Sequence, residues 1–414
     1  MQLSTTEISD VRPLGAFERL FYRYSDTHPL HFVVAAEFPC QLSELDVRRA
    51  LDHVQRRHPL LTVRVVDDPL RGPMFFRDTG IAPLALQVHD DENPNAWQLA
   101  AADELSRPFD RSTAPLARAT LLSGSRHSVI LLTFDHTVAD GISAMLVLND
   151  VVSSLNGAAL APLPVPPSQE VMLARYHLTE AAAEQEPSPE RDPQMDRTSV
   201  IRPFDGATPH VVSVSLTEKL TAQLIDTCRT QRSTVHAALV VAASYARRQL
   251  SGQRVVRVLS PINFRSLIGD PRGCADYFMA ARTATDTDDG MPFWDQARLV
   301  NQQLRQLRSR SGIATASAAV QQGIAVQAST AVAEQFLLAG LSHELTVTNL
   351  GVRPLGVGYR LTPSAVWGPV LLNQIAGETV TGVVTYRDQL RLTTSSYSPP
   401  ADFLEAVVET VRQH

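Results

Sequence analysis

Residues 128–134 read Ser-Val-Ile-Leu-Leu-Thr-Phe, a short apolar run of the kind a buried central strand needs. The period then changes: after Gly141, Ile142, Met145, Leu146, Val152 and Leu155 recur at helical spacing. A strand, a turn and a helix are therefore predicted in succession, with His136 and Asp140 in the turn. Another apolar run predicts a strand over 31–38. Ser43 then starts a helix with Val47, Ala50, Leu51 and Val54 on one face and Asp46 placed to reach back as in a capping box. Short strands are expected at 61–66, 74–77 and 84–88, and a helix at 96–105.

From Asn156 the character shifts. Leu163-Pro164-Val165-Pro166-Pro167 and the acidic, proline-bearing stretch 184–196 read as a crossover linker, with one short helix between them. Alternation predicts a strand at 210–216, and Ser233 starts a long helix through Val235, Ala238, Leu239, Ala242 and Tyr245. A strand at 255–259 leads towards Arg265. Residues 293–310 form a charged amphipathic pattern, and 314–341 are alanine-rich and helical for much of their length. Strands follow at 344–349, 370–375, 380–386 and 390–397, the last two joined through Arg387-Asp388, before a terminal helix from about Ala401. The boundaries expected are 1–175, a linker at 176–205, and 206–414.

Composition narrows the function. The 414 residues suffice for two ordinary domains, and 44% hydrophobic with 19% charged residues is a globular composition. A net charge of −6 provides no electrostatic footprint for nucleic acid. No apolar stretch is long enough to span a bilayer, and Met1-Gln2-Leu3-Ser4-Thr5-Thr6-Glu7 has no basic segment leading into an apolar one, so a cytoplasmic location is expected. Cys40, Cys228 and Cys274 lack CxxC spacing, which indicates structural thiols and no metal site. The single lysine, Lys219, follows Thr217-Glu218 on an exposed segment, which argues against P-loop and Schiff-base chemistry. Neither a G-x-S-x-G elbow nor a G-x-G-x-x-G run is present.

Chemistry concentrates at Phe134-Asp135-His136-Thr137-Val138-Ala139-Asp140-Gly141. An imidazole titrates near neutrality, so an oriented, neutral one takes a proton from a hydroxyl or amine. The same residues permit plainer roles. His136 is also a candidate for a satisfied structural histidine, and Asp140 for the N-cap of the next helix. His58, His236 and His343 are assigned structural roles, and Trp367-Gly368-Pro369 is assigned to the framework. Asp276-Tyr277-Phe278 is a candidate cavity wall.

HxxxDG after a core strand resembles the signature HHxxxDG of the superfamily that includes chloramphenicol acetyltransferase, nonribosomal peptide condensation domains and plant acyl-CoA-dependent acyltransferases. Here Asp135 stands at the first histidine, and His136 matches the second, the family's catalytic base. Further segments follow in the family's order: Arg12-Pro13-Leu14-Gly15-Ala16-Phe17-Glu18, Arg57-His58-Pro59-Leu60-Leu61, Pro108-Phe109-Asp110 with Pro115-Leu116-Ala117-Arg118, Pro261-Ile262-Asn263-Phe264-Arg265, and Val347-Thr348-Asn349-Leu350-Gly351. The first resembles the polyketide-associated acyltransferases of the phthiocerol dimycocerosyl transferase type.

The resemblance implies an α/β (α+β) fold of two chloramphenicol-acetyltransferase-like domains forming a pseudo-dimer with a tunnel between them, so that a monomer suffices. It implies acyl transfer from a coenzyme A or acyl-carrier-protein thioester to a hydroxyl, or secondarily an amine, of a polyketide, lipid or other secondary metabolite, with no bound cofactor. His136 would be the base, and Asp140 and Arg265 a bracing pair. Gly141 would allow close backbone approach and offer an oxyanion donor, while Thr348 or Asn349 would add a second donor or serve a strand end. Arg298, Arg305, Arg308 and Arg310, expected on one helix, are candidates for docking a carrier protein and equally for a solvated helix face. Two rivals remain: a cyclase or dehydratase, which Asp135 keeps open, and a non-catalytic docking module on the same fold, against which His136, Asp140, Gly141 and Arg265 together argue.

Overall fold

The strand immediately before His136 is buried at all eight residues, because helices pack on the sheet around it. The computed structural model describes residues 9–90, 93, 96–179, 197–288, 290–398 and 402–414. The first half runs β1 (Ser9–Pro13), α1 (Ala16–Tyr24), β2 (His31–Phe38), α2 (Glu44–Arg57), β3 (Arg64–Asp68), β4 (Gly72–Arg77), β5 (Ala85–Asp90), α3 (Ala96–Ser106), β6 (Ala117–Ser123), β7 (Ser128–Asp135), α4 (Gly141–Leu155) and α5 (Gln169–Arg175). The second runs β8 (His210–Ser215), α6 (Glu218–Thr230), α7 (Val235–Ser251), β9 (Val255–Asn263), β10 (Phe278–Asp286), α8 (Phe293–Leu307), α9 (Arg310–Gly323), α10 (Thr330–Leu341), β11 (Leu345–Val352), β12 (Ala365–Leu371), β13 (Thr379–Tyr386), β14 (Gln389–Ser396) and α11 (Phe403–Gln413).

Each half contributes a large sheet. The first is ordered β12-β2-β7-β6-β5, with α3 and α4 packed on β2 and β7. The second is ordered β10-β9-β11-β13-β14-β8, with α7 against β9 and β11 and α11 against α7. A three-stranded sheet, β1-β4-β3, is separate. The architecture is the expected mixed α/β pseudo-dimer, with one exchange. Strand β12 comes from the second half yet pairs antiparallel with β2 in the first half's sheet, while also packing on β13 and β14.

This exchange corrects the strand expected at 370–375, which forms at 365–371 and belongs to the other sheet. Its pairing shifts register between Trp367 and Val370, where Gly368 at φ 111° opens a bulge. Trp367-Gly368-Pro369 is therefore a seam between the halves. The strand expected at 61–66 divides, because Pro59 opens a 3-10 turn over Pro59–Thr62 and pairing starts at Arg64. The helix expected within 314–341 is two helices: α9 ends at Gly323, and Ser329 accepts the Val332 N–H to begin α10. The 293–310 pattern likewise stops at Leu307, and Ser309 caps α9. The four arginines are thus spread over α8, its C-cap and α9. Arg298 pairs with Asp295, and Arg310 donates to the Tyr176 carbonyl at 2.9 Å. Ser43 does stand at the N-cap of α2 but its side chain makes no capping bond, so the expected box is absent there.

Other local expectations hold. Arg387 and Asp388, at φ 49° and 57°, form the two-residue turn between Tyr386 and Gln389. The short helix after the proline run is α5, whereas 184–196 and the first seven residues lie outside the described residues. No helix among the described residues is long and apolar enough to cross a membrane.

Candidate active site

Pairing of β7 with β2 runs through Asp135 opposite His31, and the next backbone N–H, that of His136, donates to the Leu30 carbonyl at 2.9 Å. The strand end is fixed further by Asp135. Its buried Oδ1 accepts the Thr137 N–H at 2.9 Å, and its carbonyl accepts the Val138 N–H at 3.2 Å. The carboxylate at the first motif position therefore holds the turn that presents His136.

The His136 ring lies among Phe21, Phe32 and Phe278, with centroids 4.6, 5.1 and 5.4 Å away. Its Nδ1 is 3.6 Å from Asp276 Oδ1, an ion-pair separation beyond hydrogen-bond length. Neither Asp276 oxygen has a hydrogen-bond partner among the described residues, and the side chain is fully buried. Burial pushes the Asp276 carboxyl up to about 7. Burial also works against the imidazolium, but the neighbouring Asp276 outweighs it and holds His136 above the ordinary histidine value. Because Nδ1 faces Asp276, Nε2 is the nitrogen left for substrate.

Asp140 faces the other way. As N-cap of α4 its Oδ1 accepts the Ser143 N–H at 2.7 Å, while Oδ2 accepts Arg265 Nη1 at 2.6 Å and the Tyr277 N–H at 3.0 Å. Arg265 Nη2 donates to Ser143 Oγ at 2.9 Å and to the Ala275 carbonyl at 2.8 Å. Burial alone would raise the Asp140 pKa, but Arg265 and these donors bring it below the usual carboxylate range. The capping role and the bracing role coexist, one on each oxygen. Arg265 starts a 3-10 turn after β9, so the pair ties the turn after β7 to the second half. Cys274 is buried in this seam, its thiol on the Val138 carbonyl, and burial lifts its pKa well above that of a free thiol. That is the structural role expected of it.

Two cavities meet at His136. One is lined by Asp140, Gly141, Ile142, Asn263, Thr348, Asn349 and Leu350 among others. The second is an apolar chamber between α1, α10 and the second sheet. His136, Pro261, Phe278 and Leu371 belong to both walls. Thus the structure brings His136, Asp140, Gly141, Thr348 and Asn349 to one cavity, with Arg265 behind it. Gly141 is the first residue of α4, where backbone N–H groups lack helical partners. A Cβ on it would sit 2.7 Å from Leu350 Cδ2, so glycine keeps that wall open. Asn349 Oδ1 accepts the Gly351 N–H at 2.8 Å, serving the strand end while it lines the cavity.

Sequence reasoning missed the role of Asp276 as partner of His136. Its only signal was a carboxylate between apolar neighbours, Ala275 and Tyr277. Of the aromatic cage, Phe278 lines both cavities as its segment suggested, whereas the approach of Phe21 and Phe32 to His136 and the placing of Pro369 and Leu371 in the wall had no local signal. Among the other histidines, His58 Nε2 lies 2.8 Å from Asp150 of α4, not on helix-terminal carbonyls as its place after α2 suggested. His236 Nε2 contacts Ser260 Oγ at 2.9 Å. Among the described residues no group of three His, Cys, Asp or Glu side chains is placed to hold a metal.

A comparison with family models then names the class of protein: the condensation domain. That family matches residues 18–273, and the chain belongs to it. Phosphinothricin tripeptide synthetase PhsB of Streptomyces viridochromogenes is 27% identical over 279 residues, 61% of this chain and 23% of the synthetase. The chain spans less than a quarter of the length of the curated relatives it matches. Among solved structures, TRI3 trichothecene 15-O-acetyltransferase from Fusarium sporotrichioides superposes with a TM-score of 0.69 at 12% identity, covering 98% of this chain and 95% of that one. Polyketide synthase associated protein 5 from Mycobacterium tuberculosis superposes with a TM-score of 0.66 at 16% identity, covering 97% of each chain. At such identities the likeness is one of fold.

Proposed function

We propose that this chain is an acyltransferase that moves an acyl group from a pantetheine thioester, on coenzyme A or an acyl carrier protein, to a hydroxyl of a small metabolite, with an amine as second choice of acceptor. The observation that carries this reading is the position of His136 in the wall common to two cavities. A thioester and a nucleophile reaching it from different sides meet beside one imidazole. His136 Nε2 takes the hydroxyl proton as the oxygen bonds to the thioester carbonyl carbon. The tetrahedral oxyanion sits near the Gly141 N–H, the C–S bond then breaks, and the departing thiolate recovers the proton from the imidazolium. Asp276 opposes the positive charge that His136 carries between those steps.

A basic groove supports a phosphate-bearing donor. The cavity lined by Asp140 and Gly141 shares Ile142 and Asn263 with an open groove that holds Arg272 and Arg353, where a pantetheine phosphate finds cationic neighbours. Because both walls of the site come from one chain, a monomer is sufficient, and neither a metal nor a redox cofactor enters the scheme. The decisive experiment offers acyl-coenzyme A and acyl-carrier-protein donors with simple alcohols and amines to wild type and to His136→Ala. Thiol release that needs both His136 and an acceptor, with the acceptor gaining the acyl mass, is the expected result. Absence of His136-dependent release with every donor would instead direct attention to a cyclase or a docking role.

A further inference from the structure

The apolar chamber behind His136 has a polar floor whose hydrogen-bonding capacity the protein does not use up. Its walls include Leu20, Tyr24, Leu259, Leu337, Leu341 and Ile375, and its lining also holds the polar residues His343, Thr346 and Asn373. Asn373 is anchored firmly. Its carbonyl accepts the Tyr24 hydroxyl at 2.8 Å, and its backbone N–H donates to Glu378 Oε1 at 2.8 Å. The side-chain Nδ2 donates to Glu378 Oε2 and to Thr346 Oγ1, both at 3.0 Å. A carboxylate oxygen accepts, so the amide nitrogen must face Glu378, and the flip of the amide is settled by chemistry.

These two shorter bonds occupy the amide hydrogens, with His343 Nε2 a third and longer contact of Nδ2 at 3.4 Å, while Asn373 Oδ1 accepts no hydrogen bond among the described residues. Thr346 Oγ1 receives Nδ2, but its own hydroxyl hydrogen has no acceptor among them. A free acceptor and a free donor therefore lie side by side in the lining of a largely hydrocarbon space, and each is costly to leave dry and unpaired. An alcohol hydroxyl, which donates once and accepts twice, satisfies both. A carboxylate is disfavoured beside Glu378, and a plain methyl terminus satisfies neither group.

We infer that this chamber is the acyl-chain subsite and that it selects an acyl group with a hydrocarbon body and a hydroxyl at its distal end, read by Asn373 Oδ1 and the Thr346 hydroxyl. The assignment of the chamber to the acyl chain rests on the acyl-transfer reading; the match between its floor and a hydroxyl does not. Non-transferable thioether analogues of acyl-pantetheine, in a series of chain lengths and each with or without a terminal hydroxyl, test it by calorimetric binding to the wild-type chain. At one chain length the hydroxylated analogue is expected to bind about tenfold more tightly than its plain counterpart. Asn373→Leu should abolish that preference. The near-isosteric Thr346→Val, which retains the strand and the Glu378 anchor, should reduce it.

Equal affinity for the two analogues at every length overturns the subsite, and so does a preference that survives both substitutions. Turnover of the matching thioesters is measured in parallel. Discriminating binding without any transfer would retain the subsite and refute acyl transfer, so the two failures are separable.

Discussion

His136 and Asp276 form a unit in which each residue alters the other's charge. Replacing His136 by alanine removes the base and should cost on the order of 10²–10⁴-fold in kcat/KM, with the circular dichroism spectrum unchanged. Asp276→Asn keeps the shape and removes the charge. Since only neutral His136 accepts a proton, activity falls as pH drops through its pKa. Asp276 holds that pKa up, so its loss should move the acidic limb of the kcat/KM profile to lower pH and lower the plateau. The stability signs agree. The Asp276 carboxyl, raised to about 7, and the raised His136 both bind protons more tightly when folded, so their contribution declines as pH rises through their folded values. Asp276→Asn should therefore lose less thermal stability than wild type between mildly acidic and mildly alkaline pH, as scanning calorimetry would reveal. Asp140→Ala or Arg265→Ala acts differently. Each leaves an unpaired buried partner, worth roughly 3–5 kcal/mol, and should lower Tm together with activity.

Among the elements, β12 links the halves most directly, because it closes the first sheet while packing on the second. Gly382 of β13 lies beneath it, and a Cβ there would collide with the Pro369 backbone. Gly382→Ala should displace β12, lowering Tm and also activity, although Gly382 lines neither cavity; an unchanged Tm and kcat/KM would argue that the seam tolerates separation. Gly368 has a second constraint. Its φ of 111° disfavours any L side chain, and an added Cβ would lie 2.9 Å from the Val33 carbonyl. The helices obey local rules more closely. Asp140, Thr217, Thr234, Ser309 and Ser329 each accept a backbone N–H in the first turn of the helix they precede.

At the scale of the whole molecule, the two cavities at His136 exist only because two sheets meet. Leu341 sits in the wall of the apolar chamber and not of the other. Leu341→Trp should shorten the acyl chain of highest kcat/KM while leaving the alcohol preference intact, a separation that competition assays with mixed donors would measure.

What was written locally in the chain is many of its elements and the candidate for the base, although β1, α1, α6 and β10 were not read there. The all-apolar run into β7, the change of period at Gly141, and the His136–Asp140–Gly141 spacing are short-range properties, each written within a few residues. The resemblance added Arg265 as the partner of Asp140. Three features were decided by tertiary structure alone: the transfer of β12 into the first sheet, the approach of Asp276 to His136 from 140 positions along the chain, and the free Asn373–Thr346 pair at the chamber floor. Periodicity reports which face of an element is buried and leaves open what that face meets. The charge state of His136 and the shape of its cavities arise from groups far apart in sequence, brought together only when the two halves close on each other.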